Sequence, residues 1–86
     1  MKLAGHTNSI TALEVVEIED SLTAKFKVII ISSAKDGLIK LWDLQYEQSI
    51  ETISSDHSEV LSMTYVRDER LLIIGTNSET IIFKRI

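Results

Sequence analysis

Apolar and polar residues alternate along this chain in short runs that predict β-strands. Residues 38–44 follow Asp36-Gly37, a pair suited to a tight hairpin turn, and they carry apolar side chains on both faces of the predicted strand. A strand that is apolar on both faces is typical of stacked sheets. Residues 26–31 have the highest density of β-branched residues, so we expect a central, largely buried strand there.

The same reading predicts five further strands and one interruption. Strands are expected from residue 9 or 10 to about residue 16, and over residues 49–54, 60–66, 71–76 and 80–86. The stretch 17–25 is acidic and poorly patterned at its start. It indicates either an enlarged loop or the tip of an extended hairpin.

The order of turns and strands occurs twice, which predicts two tandem units. Asp56-His57 stands where Gly5-His6 stood, Asn77-Ser78 takes the place of Asp36-Gly37, and Phe83-Lys84 takes the place of Trp42-Asp43. The histidines are 51 positions apart, whereas Trp42 and Phe83 are 41 apart. The difference of ten assigns an insertion to the region 17–25 of the first unit.

Gly5-His6 together with the run Lys-Asp-Gly-Leu-Ile-Lys-Leu-Trp-Asp-Leu at residues 35–44 resembles the WD-repeat family of β-propellers. The resemblance implies an all-β fold of two consecutive four-stranded blades, the second of them incomplete. Residues 1–4 would end the outer strand of a preceding blade, residues 5–55 would form the first blade with its insertion near 17–25, and residues 56–86 would form a second blade lacking its outer strand.

The resemblance also implies a structural hydrogen-bond network in the first blade. His6, Ser32 (or its neighbour Ser33), Asp36 and Trp42 match the positions that form such a chain in WD-repeat blades. Buried imidazole and indole N–H groups each need partners, and a linked polar chain supplies them.

The second unit departs from that pattern. Ile73 is expected at the position of the hydroxyl, and Phe83 has no N–H to donate. We therefore expect apolar packing to hold the second unit together.

Catalytic interpretations of these side chains are weaker than structural ones. His6, Asp36 and Ser32 have the composition of a hydrolase triad, but no nucleophile elbow or glycine-rich oxyanion loop accompanies them. His6 and His57 could bind a metal ion, but the sequence offers no second set of nearby donor residues to complete such a site. We expect a protein that is not an enzyme and has no catalytic, cofactor-binding or metal site.

Charged clusters are also explained without a ligand. The carboxylates Glu17, Glu19 and Asp20 lack the glycine and the ligand alternation of a calcium loop and are expected to be solvated. The net charge is −4, which argues against electrostatic binding of nucleic acid by the whole surface. A basic patch made of Lys35, Lys40, Lys84 and Arg85 remains an alternative to ordinary surface charge. Three glycines are too few for a phosphate-binding loop, and the chain has no cysteine for a disulfide.

The run 35–44, followed by Ile-Glu-Thr at 50–52 and then His57, is similar to WD-repeat subunits of the small-subunit processome. That similarity implies a noncatalytic scaffold in a nucleolar pre-ribosomal complex that processes pre-18S rRNA, with protein partners, indirect RNA association and no membrane. The alternatives are a WD-repeat adaptor in another nuclear or cytoplasmic complex, or the propeller domain of an enzyme with Ser9 and Glu59 near its central channel. Two blades cannot close a ring, so the remaining blades are expected from a longer chain or from neighbouring chains.

Overall fold

The computed structural model describes residues 2–20, 23, 25–55, 58–78 and 80–86, with Asp20 described through its backbone alone. The described residues form seven β-strands and no helix. The strands are β1 (Ile10–Asp20), β2 (Lys25–Ala34), β3 (Leu38–Asp43), β4 (Gln48–Ser54), β5 (Val60–Val66), β6 (Leu71–Thr76) and β7 (Ile81–Arg85). In the part of the chain described, no helix has the length and apolar character of a membrane span.

The strands form two antiparallel sheets. The first sheet has the order β1-β2-β3-β4, and the second sheet has the order β5-β6-β7. The all-β class predicted from the sequence is confirmed, and two strands, β5 and β6, have the predicted bounds.

The acidic stretch belongs to an extended hairpin. β1 and β2 pair continuously from Val16↔Ile29 to Asp20↔Lys25. The alternative of an enlarged loop over all of 17–25 is therefore wrong, although residues 21, 22 and 24 at the tip lie outside the described residues.

The hairpin extension also corrects the expectation that residues 26–31 are largely buried. β3 ends at Asp43, which pairs with Ile29, so the first residues of β2 have only β1 beside them. Phe26 is 67% exposed, and it also lies on the opposite face of β2 from Ile29 and Ile31, which are buried.

The hydrophobic core lies between the two sheets. One face of the first sheet, called here its front face, contributes buried side chains from three strands, and one face of the second sheet covers them. The members of this core are Val16, Ile29, Ile31, Ile39 and Leu41 from the first sheet and Val60, Met63, Leu72 and Ile74 from the second. Full burial of each such aliphatic side chain contributes about 1.5 to 3 kcal/mol, which makes this contact the main source of stability.

The two sheets repeat each other residue by residue in their pairing. In the first sheet, Ile10↔Ala34 and Ala12↔Ser33 are separated by a bulge. In the second sheet, Val60↔Thr76 and Ser62↔Gly75 are separated by a bulge in the same place. A shift of 50 positions on the first strand and of 42 on the second converts one set of pairs into the other.

The backbone hydrogen bonds outside the strand ladders obey the same shifts. Lys35 N–H donates to Ser9 C=O at 3.0 Å, and Asn77 N–H donates to Glu59 C=O at 3.1 Å. At the opposite end of each sheet, Leu44 N–H donates to Val28 C=O and Ile86 N–H donates to Arg70 C=O. The hydrogen bonds at both ends of the second sheet thus repeat those of the first sheet.

The equivalences within that repeat differ by one residue from those expected. Ser33↔Ile39 and Gly75↔Ile81 enclose connections of equal length, so the shift of 42 holds through both hairpins. Lys84, and not Phe83, therefore occupies the position of Trp42. In the same way, Ile74, and not Ile73, occupies the position of Ser32, and Ser78 occupies the position of Asp36. The difference between the shifts of 50 and 42 makes the insertion in the first hairpin eight residues long.

The register also shows that the sheets stack front to back. The face of the second sheet that covers the core carries Met63 and Leu72, which are the equivalents of Leu13 and Ile30 on the opposite, or back, face of the first sheet. Front and back are thus equivalent faces in both sheets. The back face of the first sheet and the front face of the second are left open, and Leu13 and Phe83 on them are largely exposed.

That stacking corrects the expected role of Phe83. The second unit is held by apolar packing, but its packed residues are Val60, Met63, Leu72 and Ile74, while Phe83 lies on the open front face with 61% of its surface exposed.

Candidate functional site

The structure brings the four residues of the predicted network together on the back face of the first sheet. Trp42 Nε1–H donates to Ser32 Oγ at 2.8 Å, and Ser32 Oγ lies 2.7 Å from His6 Nε2. His6 Nδ1 lies 3.2 Å from Asp36 Oδ2. One proton arrangement satisfies all three bonds: the indole donates to the hydroxyl, the hydroxyl to Nε2, and Nδ1–H to the carboxylate.

Strand alternation decides between the two candidate serines. Successive residues of a strand point to opposite faces, so Ser32 points to the back face with Trp42 and Ser33 points to the front face. There Ser33 Oγ is 3.1 Å from Thr11 Oγ1. Ser32 is therefore the member of the network, and its neighbour belongs to a separate bond.

Asp36 is fixed by its own turn as well as by the network. Its carboxylate accepts hydrogen bonds of 2.9 Å from Thr7 N–H and from Leu38 N–H. Burial raises the pKa of this carboxyl, but the two backbone donors and the His6 imidazole outweigh burial and hold the pKa below the ordinary value of 3.8. The next residue, Gly37, has φ 81°, a conformation that favours glycine.

The network uses most of the hydrogen-bonding capacity of its own side chains. Ser32 is 4% exposed, and its oxygen already accepts the Trp42 N–H while facing His6. A nucleophile needs access to its substrate, and only a small part of this side chain is accessible, where it lines an apolar groove together with His6. Among the described residues there is also no group of three or more His, Asp or Glu side chains able to hold a metal ion.

An apolar groove of about 290 Å³ lies beside the network. Its walls are formed by the back face of the first sheet and by the segment that precedes β1. The apolar lining residues are Leu3, Ile10, Leu13, Ile30 and Trp42, and the polar ones are His6 and Ser32. Because its lining is mostly hydrocarbon, this groove suits another apolar protein surface better than a polar substrate.

The remaining candidates are dispersed. Glu17 and Glu19 are exposed on the extended hairpin, the side chain of Asp20 is not described, and His57 lies outside the described residues. Lys40 Nζ donates to Thr52 Oγ1, and Arg85 Nη1 donates to Glu69 C=O.

Lys84 likewise forms an ion pair within the protein. Its ammonium lies 3.7 Å from Glu51 Oε1 and links the second sheet to β4 of the first. Lys35, the remaining member of the basic patch considered above, is exposed in the turn before β3.

Asp43 was not identified as a buried charge from the sequence. Lys27 Nζ lies 2.9 Å from its carboxylate, and the backbone N–H groups of Gln45 and Tyr46 donate to it. The hydrogen bond from Lys27 is the main reason that the pKa of Asp43 is lowered, against the opposing effect of burial. The sequence signal was its place at the end of an apolar strand before a polar turn.

Comparison with known proteins gives a partial relationship. No family model matches the chain. A stretch of 52 residues, 60% of the chain, is 33% identical to the target of rapamycin complex 1 subunit mip1 of Schizosaccharomyces pombe. The matched region is 4% of the length of that relative, so the chain is similar to a small part of a subunit of a protein complex.

Proposed function

We propose that the two sheets are consecutive blades of a WD-repeat β-propeller and that the chain is a noncatalytic scaffold within a multiprotein assembly. The observation that carries this proposal is the front-to-back stacking of two sheets with the same pairing register. Units that stack through unlike faces present, at each end, a face that the next unit can cover. Propellers arrange such units in a ring.

The open faces support the proposal through their composition. On the first sheet the back face presents Leu13, Val15 and Ile30, whose equivalents in the second sheet are Met63, Tyr65 and Leu72 at the core. A monomeric protein seldom exposes a contiguous apolar face of this kind without a partner. Coverage by further blades accounts for both open faces.

The hydrogen-bond network supports a scaffold over an enzyme. His6 comes from the segment before β1, Asp36 from the turn before β3, and Ser32 and Trp42 from two strands, so their bonds tie four separate parts of the chain together. A rigid sheet of this kind suits a platform on which other proteins assemble.

Two assemblies are candidates for the partner complex. The run 35–44 with the following strand is similar to processome subunits, which favours a nucleolar pre-ribosomal particle. The partial similarity to a subunit of target of rapamycin complex 1 favours a complex of that kind. Both candidates give the chain the same structural role and differ in its neighbours.

Affinity purification of the tagged protein from its own cells tests the proposal. We expect stoichiometric recovery of proteins from one defined complex, and their identity decides between the pre-ribosomal particle and a target of rapamycin complex. Recovery of the tagged chain without stoichiometric partners would reject the scaffold.

A matched pair of variants tests the blade assignment in the same purification. Phe83→Asp places a charge on the open front face of the second sheet, where the next blade would pack, and should abolish recovery of the complex. Tyr46→Asp changes an aromatic residue of similar exposure, 66% against 61%, in the turn between β3 and β4, and should leave recovery unchanged. Equal recovery with both variants would contradict a blade on the front face.

A further inference from the structure

The outer edge of the second sheet has no strand beside it in the described part of the chain. In the first sheet, β4 pairs with β3 through Leu38↔Ser54, Ile39↔Ile53 and Lys40↔Thr52. In the second sheet, β7 is the last strand, and Ile81, the equivalent of Ile39, is 62% exposed. Unpaired strand edges are ready templates for another strand.

The segment before β1 has the residues that fit this edge. The shift of 50 positions that relates β1 to β5 places Lys2, Leu3 and Ala4 on Thr52, Ile53 and Ser54 of β4. Under this equivalence an apolar residue falls on an apolar residue, Leu3 on Ile53. The segment 2–4 therefore has the sequence position of a fourth strand for a sheet that precedes the first.

The contacts of Leu3 agree with that position. Ile53 packs against the core between the two sheets. Leu3 lines the apolar groove on the back face of the first sheet, which is the equivalent location one sheet earlier. Leu3 thus already lies where a preceding sheet would meet the first.

We propose that the occupant of both open surfaces is a second copy of this chain, arranged head to tail. In this arrangement, the front face of the second sheet of one copy covers the back face of the first sheet of the next copy. Residues 2–4 of the next copy then pair with β7 of the first copy. Applying the two shifts to the β3–β4 ladder fixes the pairing between copies as Ile81↔Leu3 and Ile82↔Lys2. This inference rests on the blade arrangement proposed above and adds the identity of the neighbouring blade.

The faces of the chain are matched for such a contact. In place of Ile31, Ile39 and Leu41 of the buried front face, the open front face of the second sheet carries Ile73, Ile81 and Phe83. These replacements keep an apolar surface of similar size and β-branched character. A contact between unlike faces of identical chains is heterologous and continues from copy to copy until a ring closes.

Cysteine cross-linking tests the pairing between copies, because the chain has no cysteine of its own. Leu3→Cys and Ile81→Cys are made in separate 86-residue chains, mixed in equal amounts and oxidised. Directly paired residues of antiparallel strands lie about 4.5 to 5.5 Å apart at Cα, within the range that a disulfide spans. We expect a covalent dimer in the mixture and none in either variant alone.

The control pairs Leu3→Cys with Phe83→Cys, which is two residues out of register and should form at least about fivefold less covalent dimer. Dimers of Leu3→Cys alone, or equal yields with Ile81→Cys and Phe83→Cys, would overturn the proposed arrangement.

Sedimentation of the unmodified chain provides a test that needs no variant. We expect assemblies of at least two chains at micromolar concentration, and a monomer of 9.7 kDa at about 100 μM would overturn the proposal. The two proposals fail separately. A monomeric chain that still enters a defined protein complex rejects only the second copy, whereas a cross-linked assembly that recruits no other protein rejects only the scaffold.

Discussion

Replacement of Ser32 by alanine tests the energetic importance of the network on the back face. The Ser32 hydroxyl accepts the indole N–H of Trp42 and bonds to His6 Nε2. Both partners are well buried, with 5% of the tryptophan and 5% of the histidine side chain exposed. Each of the two buried polar groups left unpaired costs about 1 to 3 kcal/mol, so Ser32→Ala should lower the free energy of unfolding by about 2 to 6 kcal/mol.

Ser33→Ala is the matched control, because Ser33 is the next residue of β2 and is also buried. Its hydroxyl has one neutral partner, Thr11 Oγ1, so its loss should cost only about 1 kcal/mol. Urea unfolding followed by the fluorescence of Trp42, the single tryptophan, measures both variants at the same protein concentration. Equal losses in the two variants would refute the assignment of the network to Ser32.

A double-mutant cycle isolates the bond itself. Trp42→Phe removes the donor that Ser32→Ala leaves unpaired, so the double variant should lose at least about 1 kcal/mol less than the sum of the single losses. Because Trp42→Phe removes the fluorescent probe, this cycle is followed by circular dichroism. Additive losses would show that the indole and the hydroxyl do not stabilise each other.

Three further substitutions test the turn before β3 and the equivalence of the units. The pKa of Asp36 is lowered in the folded state, so this carboxylate stabilises the fold fully above about pH 4, and the stabilisation is lost as the pH falls through the folded pKa. Asp36→Asn should therefore flatten the acid-induced loss of stability in unfolding experiments at a series of pH values. An unchanged dependence of stability on pH would contradict this role of Asp36. Gly37→Ala should lower the free energy of unfolding by about 1 to 2 kcal/mol, measured by thermal melting, because alanine is strained at φ 81°. Lys84→Trp should destabilise by about 1 to 3 kcal/mol, also measured by thermal melting, because Ile74 offers no partner for the indole N–H; a stabilising substitution would disprove the equivalence of Lys84 and Trp42.

The strands were predictable from sequence where one local signal dominated. Residues 60–66 and 71–76 are apolar runs bounded by polar turns, and the structure has strands with those bounds. The members of the network were also identifiable, because a family resemblance supplied the positions and strand alternation then selected Ser32. The face to which a strand residue points follows directly from its parity once one neighbour is fixed.

The position of Phe83 was not predictable from residue type. Matching one aromatic residue to another placed Phe83 on Trp42, but hydrogen-bond register follows the length of the turn and ignores side-chain type. That register puts a lysine at the indole position. Sequence comparison therefore located the second unit to within one residue, and a one-residue error reverses which face each side chain occupies.

The exposure of Phe26 escaped prediction for a different reason. β-branched density predicts that a segment is extended, and it carries no information about how many neighbours the strand has. β2 begins several residues before its pairing with β3 begins, so one end of this strand is buried and the other end is exposed. The relative lengths of adjacent strands and the face on which each residue lies together determine that difference.

The unlike front and back faces also affect how such a chain can change length during evolution. When every junction joins the same pair of faces, a duplicated unit inserted at any junction finds the contacts it needs on both sides, without compensating substitutions in its neighbours. The eight extra residues in the hairpin of the first unit lie beyond β3 and leave the pairing of the remaining strands unaltered. Growth by whole units and growth at hairpin tips are thus independent routes, and a sequence of this architecture can vary in repeat number and in repeat length separately.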